Sequence, residues 1–324
     1  MPTDALSEVL RMIRLRGAFF LHGEFHAPWC VDAPPAVEMA PVLCPGAKQL
    51  AILHMVLAGR CWIRMPGGEL LPLETGDVAA LAAGEGHLIG TGVDHAPVDE
   101  RHMLDVKVPE LTGIRYGGAG EGTLLACGWF AYEGSVPNPL LAALPRVIRV
   151  SLARRPAGAW MEQSVRHALR EAAGGAPGST AVAAKVAEAM FVETLRAYVE
   201  GLPAEQSGWL AGLRDPLVGR CLALMHEHPA RGWTLDGLAE ASFTSRSVLA
   251  ERFTALVGVA PMQYLKRWRL ALAARMLCSE RGKLAQVAEA VGYESEASFS
   301  RAFRSEYGVP PGTWRSMAEN VPPP

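Results

Sequence analysis

No stretch of the 324 residues approaches a membrane-length apolar run, and the first twenty are broken by Asp4, Glu8, Arg11, Arg14 and Arg16. A bilayer span needs about twenty consecutive apolar residues, and a secretory leader needs an uninterrupted apolar centre. Neither is expected, and a cytoplasmic location without membrane partners follows. Cys-x-x-Cys pairs are missing too: the six cysteines, at 30, 44, 61, 127, 221 and 278, are scattered over both halves. That usage suits a reduced compartment. An excess of one charge is also lacking, with 31 basic residues against 33 acidic. Split after residue 214, the first part carries 18 basic and 22 acidic residues and the remainder 13 and 11. The difference has the sign of a nucleic-acid-binding half but is small, so phosphate contacts are expected to be local to particular helix faces.

What is present is globular. Half of the residues are apolar and 20% charged, a composition and length that suit two compact domains.

The last ninety or so residues contain one pattern twice. At an offset of 50, Ser245 falls on Ser295, Phe253 on Phe303, Gly258-Val259 on Gly308-Val309 and Pro261 on Pro311. A repeat of this kind demands explanation first. Each copy reads as a helix, a tight turn and a second helix with a Gly-x-x-Pro stop. Thr234 caps Leu235 to Ala241, and after the turn at Ser242-Phe243-Thr244, Ser245 caps a helix with Val248, Leu249, Phe253 and Leu256 on its apolar face. The second copy runs from Gln286 to Val291, turns at Gly292-Tyr293-Glu294 with one extra residue, and restarts at Ser295 with Phe299 and Phe303 inward. Gly258 and Gly308 supply a left-handed stop, and Pro261 and Pro311 suit the next first turn. This is helix-turn-helix geometry, twice. A short helical scaffold would also repeat, but two copies are too few for a solenoid.

Leu238-Ala239, Ser245-Arg246-Ser247, Leu249, Phe253, Gly258-Val259-Ala260-Pro261, Tyr264 and Arg269-Leu270, followed by Val287-Ala288, Gly292-Tyr293, Ser298-Phe299-Ser300-Arg301-Ala302-Phe303 and Gly308-Val309-Pro310-Pro311, resemble the AraC-type (AraC/XylS) transcription regulators. The resemblance covers residues 215 to 318. One departure is Phe243, where the family usually has glycine; it leaves the tightness of that turn open.

Nearer the amino terminus, residues 5 to 16 have helical spacing. From Gly17 to Arg149 short apolar runs alternate with glycine and proline: Ala18 to Phe25, Leu50 to Leu57, Cys61 to Met65, Gly76 to Leu81, His87 to Ile89, His102 to Val108, and Thr123 to Tyr132. Such runs argue for a β-barrel or sandwich. Ile52 to Ile63, Leu71 to Val78 and Gly84 to His87 resemble the cupin jelly-roll that precedes the DNA-binding half in many AraC-type regulators. Ala27-Pro28-Trp29-Cys30, Gly59-Arg60-Cys61-Trp62 and Arg115-Tyr116-Gly117-Gly118 look like one bacterial subgroup of such sensor domains. The fold class expected is therefore α+β multidomain, with a cupin-like β-barrel over 1–150 and an all-α double helix-turn-helix domain over 215–324. Between them, over 151–214, Trp160 to Ala173 and Thr180 to Glu200 are two amphipathic helices. They either form a dimer contact or cover the barrel.

Cupins include metal-dependent oxygenases, which need two closely spaced histidines, a carboxylate and a further histidine. Here the corresponding slots hold His54 alone and His87 alone, so neither a catalytic residue nor a metal or other cofactor is expected. His22, Glu24 and His26 share a strand face, and His95, Asp99, Glu100 and His102 crowd one loop. Solvated polar surfaces explain both groups without a metal. A small-molecule pocket is the better use of the barrel, with Trp29, His54, Trp62, His87 and Trp129 as lining candidates; ordinary core is the alternative for each.

Residues just after a recognition helix's N-cap reach base edges, and its flanks meet phosphate. The outward positions are Arg246, Ser247, Ala250 and Glu251 in the first helix, and Glu296, Ala297, Ser298, Ser300 and Arg301 in the second. Arginine pairs with guanine and glutamate accepts from cytosine. Arg304, Lys266, Arg267 and Arg269 are phosphate candidates. The expected protein is an effector-controlled regulator of transcription, as an activator or a repressor, and a homodimer on double-stranded DNA with RNA polymerase as a further partner. Its rivals are a metal-dependent cupin enzyme with an appended DNA-binding domain, and a regulator whose barrel only dimerises.

Overall fold

The computed structural model describes residues 5–12, 15–43, 47, 49–92, 95–103, 113–132, 138–203, 207–279 and 282–319. The chain forms two compact units. One comprises Arg14–Gly134 and Leu144–Gly201; the other comprises Met1–Ile13, Ser135–Ala143 and Leu202–Pro324.

In the first unit eleven strands are described: β1 (Leu15–His26), β2 (Trp29–Ala33), β3 (Gln49–Ala58), β4 (Arg60–Arg64), β5 (Leu70–Glu74), β6 (Asp77–Leu81), β7 (His87–Thr91), β8 (Val98–Asp99), β9 (Ile114–Gly117), β10 (Gly122–Tyr132) and β11 (Ile148–Ser151). They form two open sheets, ordered β11-β6-β3-β10-β1-β9 and β5-β4-β7-β2-β8. The closed barrel expected from the sequence is corrected here. Among the described residues each sheet keeps two edge strands, the chain passing from one sheet to the other between β1 and β2 and at Gly59 between β3 and β4 without pairing the outer strands. Gly59 has φ +79°, and a Cβ there would lie 2.3 Å from the Gly122 carbonyl oxygen; only glycine suits that corner.

The faces of the two sheets share a core that includes Leu21, Trp29, Val31, Ile52, Val56, Ile63, Ile89, Leu125 and Trp129. The other face of the six-stranded sheet is also dry. Leu53, Met55 and Phe130 are fully buried there, and the Phe130 and Phe191 rings lie 5.8 Å apart. Burial on both faces explains why β3 reads as an unbroken apolar run rather than an alternating one. Phe191 belongs to α5 (Ser179–Gly201), which pairs with α4 (Pro156–Ala173). Both helices thus belong to the sheet unit: Met190 and Leu195 are buried, while Trp160 and Val182 are exposed. A short helix, α2 (Ala36–Leu43), packs on β3. Strands β2, β5, β8, β9 and β11 have no counterpart among the runs expected from the sequence. Of the expected run His102 to Val108, the first residue ends a 3-10 turn, Glu100–His102, and 104–108 lie outside the described residues.

In the second unit α6 (Trp209–Arg214) and α7 (Pro216–Glu227) lead into α8 (Leu235–Ala241) and α9 (Arg246–Val257). The long α10 (Pro261–Ser279) connects these to α11 (Leu284–Ala290), α12 (Glu296–Tyr307) and α13 (Pro311–Glu319). Two further helices from early in the chain complete it: α1 (Ala5–Met12) against α7, and α3 (Pro139–Ala143) against α6. Asp215 caps α7 by accepting from the Leu217 and Val218 amides. The two repeats carry the expected local signals. Ser245 Oγ accepts from the Val248 amide and Ser295 Oγ from the Ser298 amide. Both paired helices stop at a left-handed glycine, Gly258 at φ 82° and Gly308 at φ 77°.

Candidate nucleic-acid interface

Each motif seats its second helix by burying two aromatic or aliphatic anchors: Leu249 and Phe253 in α9, Phe299 and Phe303 in α12, all fully buried. With those positions turned inward, the helical period leaves Arg246, Ser247 and Glu251 exposed on α9 and Glu296, Ala297 and Arg301 exposed on α12. Ala250, Ser298 and Ser300 are half-buried. Ser298 is engaged in the cap, its hydroxyl donating to the Ser295 carbonyl at 2.8 Å. Arg246 lies 3.6 Å from Asp236 of α8, a highly exposed pair that contributes little.

The tight turns of the two motifs superimpose in their hydrogen bonds. The Phe243 amide donates to Glu240 O and that of Thr244 to Ala239 O; the Gly292 amide donates to Glu289 O and that of Tyr293 to Ala288 O. Phe243 accordingly takes the glycine conformation, with φ 56°. Its ring stands 81% exposed, beneath the Arg220 guanidinium at 4.4 Å. The turn is therefore as tight as its glycine counterpart, at the expense of backbone strain.

Of the phosphate candidates, Lys266 and Arg304 are exposed. Arg267 is exposed beside Glu306, at 3.6 Å. Arg269 has a different task. Its guanidinium donates to Pro229 O at 2.7 Å, Arg231 O at 2.8 Å and Gly292 O at 3.2 Å. Each of its three nitrogens thus donates to a protein carbonyl, and burial lowers its pKa. The sequence offered no sign of this, because an arginine on an amphipathic helix reads as solvated surface.

In the sheet unit Trp29, His54, His87 and Trp129 are buried and Trp62 is half-buried. Trp29 stacks on Phe25 at 4.2 Å, and among the described residues the buried indole N–H groups of Trp29 and Trp62 have no acceptor. The histidines form a chain whose proton positions follow from its far end. His87 Nδ1 lies 3.0 Å from Glu85 O, and a carbonyl only accepts, so Nδ1 is protonated and Nε2 is bare. His54 Nε2, 2.9 Å away, must then donate, which leaves His54 Nδ1 to accept from the Cys127 thiol at 3.0 Å. Burial lowers both histidine pKa values and raises that of Cys127, so every member is neutral, as this proton order requires. Glu100, which the sequence grouped with a solvated loop, is buried, and burial raises its carboxyl pKa to about 7. Its loop partner Asp99 instead pairs with Arg101 at 2.5 Å. Glu24 bridges Arg115 at 2.8 Å and His26 at 3.4 Å. No group of three or more metal-ligating side chains forms among the described residues.

Residues 4–200 match the cupin family model, and residues 238–317 match that of a helix-turn-helix domain. Over 319 residues, 96% of this chain and 98% of the relative, the sequence is 34% identical to a putative AraC-like transcription regulator of Streptomyces lividans. It is 26% identical over 324 residues, 97% of this chain and 100% of the relative, to the HTH-type transcriptional regulator AlkR of Acinetobacter baylyi (strain ATCC 33305 / BD413 / ADP1). Among solved structures, the DNA-binding domain of AdpA in complex with a target DNA is similar, with 30% identity, 32% of this chain and 92% of that chain covered, and a TM-score of 0.31.

Proposed function

The chain belongs to the AraC-like family of transcription regulators, and we propose that it reads a promoter through both helix-turn-helix motifs under the control of a small molecule bound in its cupin domain. The observation that carries the first part is the pair of capped helices α9 and α12, each presenting an exposed arginine and glutamate within the first two turns after its N-cap. Arg246 and Arg301 would take guanine edges, with Glu251 and Glu296 accepting from cytosine. Lys266, Arg267 and Arg304 would meet phosphate and fix the register.

For the effector, support comes from unmet polar groups among aromatic side chains. Among the described residues the buried indole N–H groups of Trp29 and Trp62 lack acceptors, and burial raises the Glu100 carboxyl pKa to about 7. Trp62 alternates along β4 with the core residues Cys61 and Ile63 and so stands on the other face of its sheet from Trp29; a ligand between the sheets, with an acceptor oxygen and an apolar body, would suit Trp29. His54, His87 and Trp129 complete the lining in this reading. Regulation rather than catalysis is favoured because the two histidines hydrogen-bond to each other, to Cys127 and to Glu85. Activation through contact with RNA polymerase, a cytoplasmic location and a dimer joined through α4 and α5, on which Trp160 and Val182 stand exposed, belong to the same proposal. No helix among the described residues is long and apolar enough to cross a membrane.

Selection of bound sequences from a random duplex pool, using the purified full chain, tests the reading. Enrichment of a site with two conserved blocks about one helical turn apart is expected. Enrichment of a single short block would show that only one motif reads bases.

A further inference from the structure

Within the helical unit lies a cavity of about 500 Å³, in the range of small-molecule sites. Its walls come from both motifs and from the helix between them. Val257 and Val259 close the first motif, Tyr307 ends the second, and Trp268 and Ala271 belong to α10. Trp209 of α6 and Ala142 of α3 complete the opposite side.

The polar groups on these walls are largely committed. The Asn138 side chain donates to Val9 O and accepts from the Leu140 and Leu141 amides. Trp209 Nε1 donates to the Tyr264 hydroxyl at 2.7 Å, and that hydroxyl donates to His226 Nε2 at 2.8 Å. Arg267, the cation of the lining, has Glu306 beside it. What remains for a ligand is aromatic and aliphatic surface with its charges already matched, so charged molecules gain nothing here that they do not have in water. The buried Trp268 indole N–H lacks an acceptor among the described residues, and a ligand oxygen able to reach it would relieve that.

We propose that this cavity is a second small-molecule site, within the DNA-binding unit, for a neutral ring-bearing apolar compound, and that its occupancy alters operator binding. The site goes beyond the effector reading of the cupin domain and stands without it. A ligand filling the space would touch the end of α9, the middle of α10 and the end of α12 together. It would brace the two motifs against each other, and differential affinity for one relative setting is all that control requires.

The neutral fluorophore N-phenyl-1-naphthylamine is a suitable probe of the full chain. A saturable rise in its emission is expected. Ala142→Trp, at an exposed position on the rim, and Val259→Trp, at a half-buried one, should each weaken binding ten-fold or more while circular dichroism stays native. Two variants on separate elements guard against one failing to fold. Saturating probe should also shift operator affinity at least three-fold in the wild type and not in the variants. Absence of binding, or binding and operator affinity untouched by either variant, overturns the proposal. Loss of probe binding in Trp62→Ala alone would place the probe in the cupin domain, which overturns this site and leaves the effector reading intact.

Discussion

The guanidinium of Arg269, in the helix between the two motifs, donates to the carbonyl of Gly292 in the turn of the second motif, at 3.2 Å. The same side chain holds Pro229 and Arg231, in the segment before the first motif. Gly292 itself sits so close to that segment that a Cβ would lie 2.7 Å from the Ala230 carbonyl oxygen. The second motif is therefore docked onto the first by a fork of hydrogen bonds and a glycine contact, and α10 works as a bracket as well as a spacer. Arg269→Ala should destabilise the DNA-binding unit by roughly 2–3 kcal/mol, since it strips a charged donor from three carbonyls. Arg269→Lys should fail to restore it, because one ammonium cannot reproduce the fork. Urea unfolding decides; wild-type stability in either variant would return Arg269 to the phosphate contacts.

Phe243 and Gly292 occupy equivalent turn positions, but only phenylalanine pays for its left-handed backbone, at φ 56°. Comparing Phe243→Gly with Phe243→Ala isolates that strain, since both lose the contact with Arg220. The glycine variant should be more stable than the alanine variant by about 1 kcal/mol, the reverse of their order within a helix. Thermal melts that rank alanine higher would contradict the strained turn.

Base reading and phosphate binding separate by selectivity. Arg246→Ala and Arg301→Ala should each cost roughly 1–3 kcal/mol on the best operator and relax preference only in their own half of the site. Lys266→Ala should weaken all sequences alike and lower the salt dependence of binding. Competition assays with half-site mutants give the answer, and uniform loss for both arginines would assign them to phosphate.

These devices differ in how visible they are before folding. The paired motifs are legible because their signals are local: Ser245, Ser295, Gly258 and Gly308 act within one helical turn of where they stand. Six of the eleven described cupin strands, β1, β3, β4, β6, β7 and β10, are legible as apolar runs; the other five are not, nor is the arrangement as two open sheets, since which edges stay unpaired depends on corners such as Gly59 meeting Gly122. Arg269 misleads because its partners are distant in sequence. Least visible is the membership of α1 and α3 in the DNA-binding unit, which rests on contacts such as His226 with Ala5.

That contact supports the last prediction. The Tyr264 hydroxyl accepts from Trp209 and donates to His226 Nε2, so His226 Nδ1 carries the proton and donates to Ala5 O at 3.3 Å. The ring is also stacked on Trp268 at 3.8 Å. Burial lowers the His226 pKa from 6.5 to about 3. The native state therefore keeps a neutral imidazole while the unfolded chain takes up a proton below pH 6.5. Sign follows from this: the group's contribution is complete above pH 6.5 and declines as pH falls towards 3, by a few kcal/mol in all. Chemical denaturation of the wild type should show the DNA-binding unit losing stability between pH 6.5 and 4, and His226→Phe should flatten that slope even if it is less stable at pH 7. Tyr264→Phe should instead cost stability at every pH, because it leaves Trp209 Nε1 without its acceptor. An unchanged acid slope in His226→Phe would assign the acid sensitivity to carboxylates such as Asp215, whose pKa is lowered by the Val218 amide and Arg252 despite the opposing effect of burial.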